Sequence, residues 1–353
     1  MDVHGATGSM VSVVMPVRNE ARHVAATLEA LASQTYPASR LEIVVVDGRS
    51  EDVTRAIVTS FAEQHPHLQV HLLENPERTI PAGMNLGIAA ANGDVIIRMD
   101  GHTVPAPDYV EACLEALTRS GAGVVGGCIT PEGDTPFGEA VAIAQSSGFG
   151  AGDAAFHHAT AAQFTDTAYL GAFPRSALDD VGGYDPSMLR NEDYELCVRL
   201  RAAGHRVYLD PAIRSQYRPR GTPAELVRQY AAYGWWKVET LRRHPRSLRW
   251  RQALPALFVG TFLASAVLTP LVGWAAVVLI AALTSYALAH VAAGVVMLRA
   301  GRFTPSESVP EPRWRASLAL QLRTHAAITL MHVAWGAGFL ANLVTFGRAP
   351  WRD

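Results

Sequence analysis

The stretch DVIIRMDGHTVP, residues 94–105, holds the first pair of side chains suited to chemistry. Its apolar run, Val95, Ile96 and Ile97, predicts a buried strand, and Asp100 and His102 follow at the strand's carboxyl end. A carboxylate and an imidazole one residue apart on a turn can chelate one divalent cation, with Gly101 letting the backbone bend between them. Such a cation needs an anionic partner, and a phosphorylated ligand at the strand ends of an open α/β sheet supplies it. A surface turn after a core strand is the competing reading. In RNEDYELCVRLRAAGHR, residues 190–206, Glu192 and Asp193 open a predicted helix. One of them at the mouth of the sheet could act as a general base, or both could simply complement the helix dipole. Tyr194, Leu196 and Leu200 would bury one side of that helix. Asp47, in VVVDGRS, could accept hydrogen bonds from a nucleobase or ribose, or cap the helix that follows.

Alternating elements would position these groups. Apolar runs at 11–15, 41–46, 70–73, 95–97 and 124–129 read as strands. Helical spacing appears in Val24, Leu28 and Leu31, then over 52–64, 82–91 and 107–120, with Asn92 and Gly93 stopping the third helix. This order predicts an α/β fold with a mostly parallel sheet and helices on both faces. No Gly-x-Gly-x-x-Gly follows the first strand and no P-loop motif occurs, which removes the main support for dehydrogenase and P-loop readings. Gly148, Gly150 and Gly152 suit either a loop that closes over a substrate or a flexible connection. His157 and His158 lie nearby without a ligand pattern. Cys113, Cys128 and Cys197 are odd in number and widely spaced, as expected of buried apolar side chains in a reducing compartment.

The 353 residues are 49% hydrophobic and 18% charged, which is too apolar for an ordinary soluble enzyme. A net charge of -2 gives no support to a nucleic-acid partner. The first residues, MDVHGATGSM, lack the basic start and apolar core of a signal peptide. From Ala253 to Leu298 no acidic or basic residue occurs, a length that fits two membrane crossings, roughly 253–271 and 274–298. Before it, residues 237–252 carry Lys237, Arg242, Arg243, Arg246, Arg249 and Arg251, with Trp250 among them and Trp235 and Trp236 just ahead. This suits an interfacial segment at anionic headgroups, although a solvated basic helix is the alternative. Residues 299–323 read as a cytoplasmic linker, and 324–347 as a third span or re-entrant helix. Arginines on both sides of the first pair place its ends, and the preceding domain 1–236, in the cytoplasm, at the inner membrane.

The ordered series VVMPVRNEA, VVVDGRS, GMNLGIAAANGD, RMDGHT and NEDYELCVRLRAAG resembles family 2 glycosyltransferases of the GT-A fold, over about residues 10–240. RMDGHT, VGGYDP and RQYAAYG are similar to the succinoglycan and exopolysaccharide glucosyltransferase type. The resemblance implies that Pro16, Arg18, Glu20 and Asp47 line the nucleotide pocket, with Arg78 and Asn85 on the sugar-nucleotide side. It implies that Asp100 and His102 hold Mn2+ or Mg2+, and that Asp193, beside Glu192, is the catalytic base. The usual Asp-x-Asp is Asp100-Gly101-His102 here, and a neutral imidazole favours manganese. The processive pattern Gln-x-x-Arg-Trp is absent, since Ala232 and Tyr233 stand where Arg and Trp would follow Gln229, so one sugar per acceptor is expected. The implied reaction is inverting transfer from a nucleotide sugar, UDP-glucose, to a lipid-linked saccharide. Transfer to polyprenyl phosphate is a same-class alternative, and a non-catalytic membrane-anchored saccharide-binding or scaffold subunit is one of another class.

Overall fold

The computed structural model describes residues 8–150, 152, 154–303 and 313–345. In chain order the elements are β1 (Val11–Val17), α1 (Val24–Ala32), β2 (Leu41–Asp47), α2 (Thr54–Gln64), β3 (Gln69–Glu74), α3 (Ile80–Ala90), β4 (Val95–Arg98), β5 (Thr103–Pro105), α4 (Tyr109–Ser120), β6 (Val124–Pro131) and α5 (Pro136–Gln145). They continue with β7 (Gln163–Thr165), β8 (Ala172–Pro174), α6 (Arg175–Val181), α7 (Glu192–Ala202), β9 (Val207–Tyr217), α8 (Pro223–Arg243), α9 (Trp250–Leu268), α10 (Gly273–Arg299) and α11 (Arg313–Thr345).

The chain divides into two compact units. The first takes residues up to Thr130 together with Ala155–Tyr217, and the second takes Pro131–Ala154 and everything from Arg218 onward. The first unit is built on a mixed sheet in the order β3-β2-β1-β4-β8-β6-β9-β5, with β7 beside β9. The strands β3, β2, β1 and β4 are parallel. β8 runs antiparallel to β4, and β5 and β7 run antiparallel to β9. Period-two alternation sends the apolar residues of the central strands to both faces of the sheet. Val11, Val13, Met15, Ile43, Val45 and Ile97 face a core closed by α1, α2 and α4. Val14, Val44, Val46 and Ile96 face the other, closed by α3, α6 and α7.

The chain steps outward from β1 to β2 to β3 on one side and then crosses back past β1 to β4 on the other, so the switch point of the sheet falls between β1 and β4. The entry to β4 is pinned by a buried carboxylate. Glu42 accepts from Ser12, from the Asn92 amide at 2.9 Å and from Asn92 Nδ2 at 2.8 Å, while Ser12 Oγ accepts from the Gly93 amide at 2.8 Å. Burial works to raise the Glu42 pKa, but the Ser12 and Asn92 hydrogen bonds outweigh it and hold the carboxyl below its ordinary value.

The second unit is helical. Ala140, Val141 and Ala144 of α5 pack with Leu226 of α8 and with Leu320, Ala327, Ile328 and Met331 of α11. Among the described residues, two helices are long and apolar enough to cross a membrane, Gly273–Arg299 and Ser317–Thr345, whereas Gln252–Leu268 is apolar but shorter. The expected stretches 253–271 and 274–298 fall largely on α9 and α10. Half of the expected linker, from Arg313, is already helix. Residues 304–312 of that linker, and 346–347 of the expected third span, lie outside the described residues. At the start of the expected interfacial segment Lys237 is buried, as are Trp235 and Trp236 just ahead of it. Lys237 turns inward to donate to the Ser247 carbonyl at 3.2 Å. Arg243, Arg246, Arg249 and Trp250 are exposed.

Candidate active site

The loops that leave β1 and β2 are stitched together by their own polar side chains. The Asn19 amide donates to Ser50 Oγ at 2.9 Å, the Glu51 amide to Asn19 Oδ1 at 2.8 Å and the Glu20 amide to Thr54 Oγ1 at 2.9 Å. Asn19, Arg49 and Arg78, one in each loop after β1, β2 and β3, hold positive φ angles of 55°, 56° and 59°. Left-handed conformations in non-glycine residues cost free energy and cluster at ligand sites. Arg18 and Arg78 are exposed and lie either side of Gly48, where an added Cβ would touch Arg18 Cβ at 3.4 Å and Arg78 Cα at 3.5 Å. Pro16, near the end of β1, is half-buried beside them. Two guanidiniums with no partner among the described residues, at the carboxyl ends of parallel strands, form a rim suited to phosphate.

Asp47 ends β2 fully buried. Its oxygens accept from the Ser50 amide and hydroxyl and from Arg55 Nη1 at 3.0 Å. The Ser50 contacts close the turn that leads from β2 toward α2. Asn85 is likewise engaged within the protein. Its Nδ2 donates to the Tyr184 carbonyl at 2.8 Å and its Oδ1 accepts from the Tyr184 amide at 2.9 Å. Gly183, at φ +74°, leaves no room for a Cβ, which would stand 2.7 Å from Asn85 Oδ1. The Gly182-Gly183-Tyr184 turn is thereby locked onto α3.

At the switch point, Asp100 and His102 lie in the turn between β4 and β5. Gly101 is needed for space rather than for a bend, since its φ is not positive. A Cβ there would meet Val17 Cγ1 at 2.9 Å and Glu20 Cγ at 3.1 Å. The close approach lets Thr27 Oγ1 donate to the Gly101 carbonyl at 3.1 Å. His102 Nδ1 meets Glu20 Oε1 at 2.9 Å. A proton on Nδ1 shared with that carboxylate would leave Nε2 as the acceptor nitrogen of the ring, the arrangement that orients metal-ligating histidines. Glu20 thus reaches the site through His102.

The centre of the site is a buried charge cluster. Arg98, the last residue of β4 and 4% exposed, donates Nε to Asp100 Oδ1 at 3.1 Å and Nη1 to Glu192 Oε1 at 3.0 Å, and also to Asp193 Oδ1. The Tyr184 hydroxyl donates to the same Asp193 oxygen at 3.2 Å. Asp193 Oδ2 has no hydrogen bond to the described residues. The side chain of Asp193 is 22% exposed and that of Glu192 8%, so Asp193 is the one a second substrate can reach. Burial pushes the Asp193 carboxyl up to about 7, with Glu192 and Asp100 adding to the rise and Arg98 opposing it. At Asp100 burial also raises the pKa, yet Arg98, His102 and Arg190 prevail and hold it below the ordinary value. Asp100 thus stays ionised while Asp193 sits near neutrality, the separation expected of a ligand and a base.

Among the described residues, no three acidic, imidazole or thiol side chains converge as a metal cage. Asp100 and His102, in the same turn, are the residues that could offer donors to a hard or borderline cation, which would take its remaining ligands from a diphosphate. Arg98 and Tyr184 were not singled out by sequence reasoning. The signal for Arg98 was available, because a cation ending a strand buried on both faces must have carboxylate partners. Tyr184 carried no comparable signal, since a tyrosine after two glycines reads as a turn.

A sheet with its switch point beside an ionised carboxylate, a near-neutral carboxylate and an arginine rim defines an enzyme that handles a phosphorylated sugar. Residues 12–180 match the family described as "Glycosyl transferase family 2". The chain belongs to glycosyltransferase family 2 and has the GT-A fold. It is 31% identical to the succinoglycan biosynthesis protein ExoA of Rhizobium meliloti, over 97% of each chain. It is 25% identical to a dolichyl N-acetyl-alpha-D-glucosaminyl phosphate 3-beta-D-2,3-diacetamido-2,3-dideoxy-beta-D-glucuronosyltransferase of Methanococcus voltae, over 71% of this chain and 80% of that protein. The fold matches mannosyltransferase PcManGT of Pyrobaculum calidifontis, solved with GDP-Man and Mn2+, with TM-score 0.59, 21% identity, and coverage of 95% of this chain and 87% of that one.

Proposed function

We propose that this enzyme transfers one sugar, from UDP-glucose, to a lipid-linked saccharide at the cytoplasmic face of the inner membrane, with inversion at the anomeric carbon. The observation that carries the reading is the pairing of Asp193 with Asp100 through Arg98. It joins a base of near-neutral pKa to a cation-binding carboxylate in one cluster. Arg18 and Arg78 would hold the donor diphosphate. Asp100 and His102 would bind Mn2+, or Mg2+, with the diphosphate, and the cation would offset charge building on the leaving group. Asp193 Oδ2 takes the proton from the acceptor hydroxyl as that oxygen bonds to the anomeric carbon. The bond to the nucleoside diphosphate breaks on the opposite face. Glu192, more deeply buried, steadies Arg98.

A glycan role and a lipid-linked acceptor are supported by the names of the Rhizobium meliloti and Methanococcus voltae relatives. The C-terminal helices support membrane attachment. Trp274, Val277, Ile280, Leu288, Val291 and Val296 expose apolar surface along α10. The α9 helix is about 28 Å long at 1.5 Å per residue, close to the bilayer core. Exposed arginines precede α9 and stand at and just beyond the end of α10, at Arg299 and Arg302, while the turn between the two helices is uncharged, which supports both outer ends lying in the cytoplasm. The test is a screen of nucleotide sugars for Mn2+-dependent nucleoside diphosphate release by the detergent-solubilised chain, with and without polyprenyl-diphosphate-linked sugar. Release from UDP-glucose stimulated by that acceptor is expected. Stimulation by bare polyprenyl phosphate instead would reassign the acceptor, and no release from any nucleotide sugar would remove the catalytic reading.

A further inference from the structure

Arg98 reaches three carboxylates with one head group. Its Nε holds Asp100, and its Nη1 is shared between Glu192 and Asp193. It cannot drift, because its backbone amide donates to the Gly171 carbonyl at 3.0 Å and β4 is paired on both sides, with β1 and with β8. We propose that Arg98 is a positioning residue for sugar transfer, a rigid spacer that fixes the base Asp193 relative to the cation-binding Asp100. The inference rests on the roles given to those two carboxylates above.

The argument is geometric. The guanidinium is planar and its nitrogens diverge at fixed angles, so two anions held through Nε and Nη1 keep one separation. Both Arg98 and Tyr184 take the same oxygen of Asp193, and this leaves Oδ2 for the acceptor. Glu192 is a second tether on Nη1 that stops the guanidinium from following Asp193. Donor and acceptor are held by different elements, β4 with its turn and the start of α7, and Arg98 joins them. A lysine could neutralise charge in the same place, but as a flexible point charge it could not hold that spacing.

The unaltered full chain must first show transfer with a nucleotide sugar; if it shows none, the proposed function falls and takes this inference with it. Given transfer, Arg98→Lys is expected to lower kcat about 100-fold, the cost of a misplacement on the order of 1 Å. The donor KM, and Mn2+-dependent nucleotide binding measured by calorimetry, should be unchanged. Introduced into Asp193→Asn, the same change should cost nothing further, because both act on one step. Glu192→Gln retains the cation and shape, and is expected to lower kcat less, again at unchanged KM. Parent kcat in both Arg98→Lys and Glu192→Gln would overturn the proposal. So would a loss of Mn2+-nucleotide binding that matches the loss of kcat, or independent losses in the double variant. If Arg98→Lys does not fold, the Glu192→Gln result decides.

Discussion

As the proposed base, Asp193 meets opposed demands, since it must be ionised to accept a proton yet not so stabilised that it has no affinity for one. Burial beside Glu192 and Asp100 lifts its pKa to about 7, while Arg98 limits the rise. A base near neutrality combines correct ionisation with driving force for proton transfer. The sign of the pH dependence follows. A raised pKa means that the carboxyl is protonated, and idle, below about pH 7, so kcat/KM should climb through that region and level off above it. A cation at Asp100 favours the ionised form, which should move the limb of kcat to lower pH than that of kcat/KM. Asp193→Asn should lose on the order of 100- to 10,000-fold in kcat and the limb with it, while nucleotide binding persists. Profiles of both parameters against pH check each part.

At the scale of elements, each group in the site is placed by the end of a strand or the start of a helix, and much of this was legible. The strands β1, β2 and β4 read as apolar runs because both faces of the sheet are covered, and the Asp100 turn follows directly from the last of them. The antiparallel strands β5, β7 and β8 span three residues each, too short for periodicity to register. The role of Asn85 was hidden for a related reason. Its partner, the Tyr184 backbone, is 99 residues away, and nothing local to Asn85 points there. A buried Glu42 inside an otherwise apolar strand also gives no sign of what it holds. Its folded pKa lies below the ordinary 4.5, so its stabilisation is present above that value and is lost as pH falls through the folded pKa. Glu42→Gln should therefore lower stability at pH 7 by about 1–3 kcal/mol and flatten the loss of stability below pH 4.5. Thermal unfolding in detergent at pH 7 and pH 4 would show it.

For the whole molecule, a two-donor site implies that cation and donor bind together. With Asp100 and His102 as the proposed donors and no third among the described residues, the chain alone should hold Mn2+ weakly, and a nucleoside diphosphate should tighten Mn2+ binding by the same factor by which Mn2+ tightens nucleotide binding. Titration of each ligand at fixed concentrations of the other would measure that factor, and tight Mn2+ binding without nucleotide would contradict it. The second unit is interleaved with the first in sequence, because residues 131–154 belong to it although they precede Asp193. Stopping the chain after Tyr217 would leave Ala140, Val141 and Ala144 of α5 without the α8 and α11 side chains that cover them. Proteolysis between the units therefore cannot release an intact, freely diffusing catalyst. A clipped fragment would carry an uncovered greasy helix in its middle, and the enzyme's working life is tied to that of its tail.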